Sequence, residues 1–142
     1  MSKDIDTYNQ FIKNVELDEV VLSELEAKRF SPPEDGKWSV DLTPNFFLIE
    51  KNINKLEAAA AFDLVAKDLK DNNENEMFTL RAKFILNYNV ANMVEISDEV
   101  IDRFIKTNVP INSWPYAREL ISSVSIRLGY PALIIGMFKV AR

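Results

Sequence analysis

Residues 55–70 read KLEAAAAFDLVAKDLK, and whether this stretch coils or extends decides the fold. Residue preference alone makes it a helix, because Ala, Leu, Glu and Lys lead the helix scale and Ala is scarce in strands. The hydrophobic pattern points the other way. Read with period two, Leu56, Ala58, Ala60, Phe62, Leu64 and Ala66 share one face, and Glu57, Asp63 and Lys67 share the other. Wound as a helix, the spacing 56, 59, 60, 63 brings Asp63 onto the apolar face. The following segment, EMFTLRAKFILNYNV, tips the balance: Phe78, Leu80, Ala82, Phe84, Leu86, Tyr88 and Val90 occupy every even position. Such alternation is a strand with one buried face, and the turn-rich link KDNNENE gives the pair hairpin character. Strands are therefore predicted over about 55–69 and 76–90, with small Ala side chains that let a covering helix approach closely.

The flanking segments are read the same way. In DIDTYNQFIKNV, Ile5, Tyr8, Phe11, Ile12 and Val15 recur at helical spacing, which predicts a short amphipathic helix over about 4–15. EVVLSELEAKRF is rich in β-branched residues at its start and gives a strand over about 19–30, stopped by SPPEDGK. WSVDLTPNFFLI alternates, is interrupted at Pro44 and resumes, the pattern of an edge strand or crossover over about 38–49. Ser97 is an N-cap candidate with Asp98 and Glu99 in the first turn, opening a helix over about 98–107 that stops near Pro110. Pro115 then stands at a first helical position, and Ala117, Leu120, Ile121, Val124 and Leu128 keep 3.6 spacing up to Gly129 and Pro131, a second helix over about 115–128. The apolar tail ALIIGMFKVAR is expected to pack over the sheet or a neighbour.

Composition removes whole classes of function. The chain of 142 residues suits one domain, 1–142, and is large enough to bury a core without disulfides or metal. It has no Cys and no His, so disulfides, imidazole acid-base chemistry and the common zinc sites are excluded. Gly36, Gly129 and Gly136 are its only glycines, too few and too scattered for a dinucleotide fingerprint or a P-loop. A net charge of −5 argues against tracking nucleic-acid phosphates, and no apolar run reaches the roughly 20 residues of a membrane-spanning helix. The polar, acidic start MSKDIDTYNQ is no signal peptide, which leads us to expect a cytoplasmic protein whose partner is polypeptide. Asp98 and Glu99 diverge on a helix and read as dipole partners rather than ligands, so neither metal nor cofactor is assigned.

The C-terminal third carries a signature. SWPYARELISSVSIRLGYPALII resembles the motif F-P-Y-A-R-E-x-I-S-S-x-x-x-R-x-x-F-P-x-L of SecB-type chaperones, the tetrameric holdases of bacterial protein export. Pro115, Tyr116, Ala117, Arg118, Glu119, Ile121, Ser122, Ser123, Arg127, Pro131 and Leu133 fall in register, with Trp114 and Tyr130 in place of Phe. The order of elements before it is also similar to that family. The resemblance implies an α+β fold: a four-stranded antiparallel sheet with helices on one face, assembled as a dimer of dimers.

It also implies a non-enzymatic, nucleotide-independent holdase that takes unfolded polypeptide into apolar grooves. By the resemblance, Trp38, Val40, Leu42, Phe46, Phe47 and Leu48 line such a groove; the alternative is that they are ordinary core. The motif residues Pro115, Tyr116, Arg118, Glu119, Ser122, Ser123, Arg127 and Pro131 are read as structural, the Arg118–Glu119 couple included, since ion pairs arise without chemistry. Exporting members present an acidic sheet surface to the translocation motor, whereas here Arg81 and Lys83 stand in that region and the chain ends at Arg142. Both features speak against docking that motor; the short end and the amphipathic N-terminal helix are more like the SecB-like chaperones of toxin–antitoxin pairs, whose client is the antitoxin. Arg81 and Lys83 either meet an acidic partner or belong to a solvated face of mixed charge. A purely structural oligomerisation module is the alternative function.

Overall fold

The computed structural model describes residues 2–33, 38–70, 73–91 and 96–136. Helix α1 (Ser2–Lys13) precedes four strands, β1 (Val15–Arg29), β2 (Trp38–Lys51), β3 (Lys55–Lys70) and β4 (Asn73–Val90), and helix α2 (Asp98–Arg127) follows. The alanine-rich stretch is thus extended. Its alternation wins over its helix preference because β2 and β4 satisfy its backbone on both sides while every even side chain from Leu56 to Ala66 enters one core. Part of the loop at 34–37, the hairpin residues Asp71 and Asn72, and residues 137–142 of the tail lie outside the described residues.

All four strands run antiparallel in the order β1-β4-β3-β2, so the strands with the clearest alternation lie in the middle. Leu56, Ala58, Ala60, Phe62, Leu64 and Ala66 of β3 join Phe78, Leu80, Ala82, Phe84, Leu86, Tyr88 and Val90 of β4 in a single buried cluster. Helix α2 closes this face with Val100, Ile101, Phe104, Ile105, Val109, Ala117, Ile121 and Val124. Helix α1 seats Tyr8 and Phe11 in the same cluster, Phe11 meeting Phe104 edge-on at 5.4 Å. Arg103 lies over the Tyr8 ring, 4.2 Å from its centre, and the Tyr8 hydroxyl bonds Thr107 and Asn108. Both helices therefore cover one face and leave the other open.

The structure corrects the sequence reading in three places. A single helix of 30 residues stands where two were expected, 98–107 and 115–128, and it continues through both Pro110 and Pro115. A helix-interior proline removes one backbone bond and costs about 3 kcal/mol. Here a buried, mostly apolar stripe runs from Val100 to Val124 on both sides of the prolines, and its burial outweighs that cost. The buried Ser113 hydroxyl is satisfied within the helix, donating to the Pro110 carbonyl at 3.3 Å. Second, β2 passes through Pro44 without a break, which only an edge strand allows, since a proline has no N–H to give a neighbour. Third, the strand expected from 19 begins at Val15, where the 4–15 helix was expected to end: Val15 pairs with Val90, and the Asn14 carbonyl accepts the Ala91 N–H at 3.0 Å.

Candidate functional site

The signature region builds a turn and a strap. Ser97 caps the start of α2, its hydroxyl oxygen accepting the Val100 N–H at 3.3 Å. Gly129 ends the helix with φ +93°, while the N–H groups of Gly129 and Tyr130 satisfy the Ile126 and Ser125 carbonyls. That paired cap needs a left-handed residue, which glycine adopts without strain. The reversal turns Tyr130 into the core, 5.7 Å from Trp38 and 4.7 Å from Phe78 between ring centres. Its hydroxyl sits between the carbonyls of Met77, at 2.8 Å, and Ser31, so the tail is anchored at the bulged start of β4.

Beyond Tyr130 the chain runs back along α2. Leu133 donates its N–H to the Ser125 hydroxyl oxygen at 2.9 Å, Arg118 donates Nε–H to the Ile135 carbonyl at 2.9 Å, and Trp114 donates Nε1–H to the Gly136 carbonyl. Arg118 thus serves as a backbone anchor. Ser125 is itself held by donating to the Ser122 carbonyl at 2.9 Å. Of the other motif residues, Ser123 is half-buried, and Pro115, Tyr116, Glu119, Arg127 and Pro131 are exposed on the helix and at its exit. Tyr116 leans its ring toward Phe84, 6.3 Å between centres.

The six β2 residues read as a groove do not form one surface. Trp38, Val40, Leu42, Phe46 and Leu48 stand opposite Asp68, Ala66, Leu64, Ala60 and Ala58, all on the helix-covered face. The first four are half-buried against the core, Phe46 edge-on to Phe62 at 5.9 Å, while Leu48 is 37% exposed. Phe62 in turn meets Trp114 at 5.8 Å, so Phe46, Phe62 and Trp114 form an aromatic wall between β2 and α2. Phe47 is one step out of phase. It pairs with Ala59 on the open face, 38% exposed, and the register continues through Ile85 to Val21, an apolar row across all four strands.

Sequence reasoning missed the corresponding surface at the other edge. In β1 the register slips between Leu17 and Glu19 and again between Leu22 and Glu24, which breaks simple alternation. Leu22 and Leu25 then lie opposite Phe84 and Ala82 on the helix side, yet remain 43% and 46% exposed. The signal was present as apolar residues at 20, 22, 25 and 27, a period of two with one extra residue inserted.

Charges on the open face are matched within the chain. Arg81 Nε lies 2.9 Å from Asp63, Lys83 3.6 Å from Glu24, and Lys67 3.4 Å from both Asp41 and Glu74. Hydrogen bonds to Asp41 and Glu74 hold the Lys67 ammonium above its usual range, and Asp63 does the same for Arg81. The two cations considered for an acidic partner thus already have carboxylate neighbours. At the start of α2, Asp98 pairs with Lys51 at 2.8 Å, which holds its carboxyl below the usual range. Among the described residues no helix is long and apolar enough to cross a membrane.

No protein-family model matches the chain, and no curated protein matches it. Among solved structures, a SecB-like chaperone of Mycobacterium tuberculosis in complex with an antitoxin peptide matches with a TM-score of 0.80. The match spans 96% of this chain and 99% of that one at 13% identity. A Streptococcus agalactiae protein of unknown function reaches a TM-score of 0.44 over 87% of this chain and 97% of that one, also at 13% identity. The fold is therefore SecB-like, in agreement with the sequence signature.

Proposed function

We propose that the protein is a SecB-like chaperone: a nucleotide-independent, non-enzymatic holdase of the cytoplasm that binds unfolded polypeptide and keeps it from aggregating. The observation that carries this reading is the combination of a SecB-like fold with apolar side chains left exposed along both edges of its sheet, Leu22 and Leu25 at one and Phe47 and Leu48 at the other. Burying one such side chain yields about 1.5–3 kcal/mol. Micromolar binding needs about 8 kcal/mol, before the cost of ordering a floppy client. Several apolar residues of one client must therefore be engaged together, and free strand edges add backbone bonds that ignore client sequence.

The motif resemblance supports assembly as a homotetramer, a dimer of dimers. For the client, an antitoxin is favoured over a preprotein for export, because the structural match is a chaperone holding an antitoxin peptide. The ion-paired Arg81 and Lys83 agree with that choice and against docking to the translocation motor.

The test is light scattering from a chemically denatured protein diluted into buffer. The natural chain is expected to suppress aggregation near one tetramer per client without nucleotide, and Phe47→Asp with Leu48→Asp to lose at least tenfold in potency while keeping the same melting temperature within a few degrees. No suppression by the natural chain would favour a structural oligomerisation module instead.

A further inference from the structure

The segment after Tyr130 is itself an extended polypeptide, held against the core and α2. Residues 131–136 adopt neither helix nor strand, and from Ala132 to Ile135 their side chains alternate: Leu133 is half-buried and Ile135 buried, whereas Ala132 and Ile134 are exposed, as are Pro131 and Gly136 at the two ends. Three side chains on α2 fix the backbone, Ser125 at Leu133, Arg118 at Ile135 and Trp114 at Gly136. Positions 114, 118 and 125 lie on one stripe of the helix, four and seven residues apart. The strap starts where Tyr130 meets Trp38 and ends at Trp114, which packs on Phe62 opposite Pro44, so it follows β2 along the helix-covered face.

None of these anchors reads sequence. Each meets a backbone N–H or C=O, which every residue except proline presents in full. The specific part is two apolar side chains two residues apart. A few hydrogen bonds and two inserted side chains stand against the lost freedom of six residues, which places the strap at the weakly held end of the molecule.

We propose that residues 131–136 are an internal stand-in for client: they fill the groove between α2 and β2 when it is empty, and an extended client segment with apolar residues at alternate positions displaces them and takes over Ser125, Arg118 and Trp114 as backbone anchors. This inference rests on the holdase reading and adds a gate to it. Client affinity is then set by competition with the chain's own strap, and a strap that leaves more readily makes a tighter holdase.

The chain has no Cys, so Ser125→Cys with Leu133→Cys places its only thiols where the Leu133 N–H now lies 2.9 Å from the Ser125 hydroxyl. The probe is fluorescein-labelled, reduced and carboxymethylated lactalbumin, a permanently unfolded chain, followed by fluorescence anisotropy. Oxidation, which locks the strap, is expected to weaken capture at least tenfold, and reductant to restore it, with circular dichroism unchanged. Equal capture by the locked and reduced forms overturns the proposal and leaves the holdase reading standing. If the natural chain captures nothing, the loosened variant Leu133→Ser with Ile135→Ser decides. Capture by that variant supports a strap that shuts the groove, and its absence overturns strap and holdase together.

Discussion

Strands β3 and β1 lie on opposite sides of β4 and pair with it in the same antiparallel sense, yet they are built for different ends. In β3 every even side chain from Leu56 to Ala66 is buried, and the two neighbouring strands satisfy its backbone. In β1 two register slips re-aim the side chains, one edge has no partner strand among the described residues, and Val21, Leu22 and Leu25 stand exposed. The middle of the sheet holds the fold together. Its edges leave apolar side chains exposed, the feature on which the proposed binding of other chains rests.

The sharpest way to break this contrast is at its centre. Phe62 touches Phe46, Phe84 and Trp114, so Phe62→Ala is expected to lose about 3–5 kcal/mol in urea unfolding. A loss below 1 kcal/mol would mean that the middle strands are not what stabilises the molecule. Next in size is the helix that covers them. Pro115 is exposed and interrupts the backbone ladder of α2, so Pro115→Ala is expected to stabilise the protein by up to about 3 kcal/mol. Destabilisation on the same denaturation curve would show that the proline shapes the helix rather than merely being tolerated.

At the edge the expected pattern inverts. Leu22→Ser with Leu25→Ser should shift unfolding by no more than about 1 kcal/mol, as exposed sites do, while weakening capture of an unfolded test protein severalfold. Stability lost without any loss of capture would make these leucines part of the core. The smallest effect concerns pH. Burial pushes the Tyr88 phenol above its ordinary value of 10.0, and its hydroxyl donates to Asn112 at 2.9 Å. Below pH 10 both folded and unfolded states keep this proton and the contribution is complete; above it the unfolded chain ionises first and stability falls. Thermal melts from pH 8 to 11 should show that decline, and Tyr88→Phe should flatten part of it.

Legibility in the sequence followed how uniform each element's surroundings are. The strands of the middle keep one face buried from Leu56 to Ala66 and from Phe78 to Val90, against a face of mostly exposed or half-buried residues, and period two identifies them even where alanine favours a helix. At β1 the bulges put Leu22 and Leu25 at positions that simple alternation cannot assign, so the exposed surface there escaped notice. In β2 the apolar run Phe46 to Ile49 was visible as composition, but its division between two faces depends on register with β3, which no local pattern supplies. The two prolines of α2 misled for a related reason: a breaker's cost is local, whereas the burial that overrides it comes from residues on both sides.

The sequence by itself determined the sheet, because alternation of apolar and polar residues is a one-dimensional record of which side of a strand meets water. It also held the signature and the Gly129 stop. Only the tertiary structure decided that α2 is one rod, that Phe47 parts company with Phe46, and that the tail returns along the helix to Arg118 and Trp114. Those outcomes turn on contacts between residues distant in the chain, whose energies exceed local preference only once the core has brought them together.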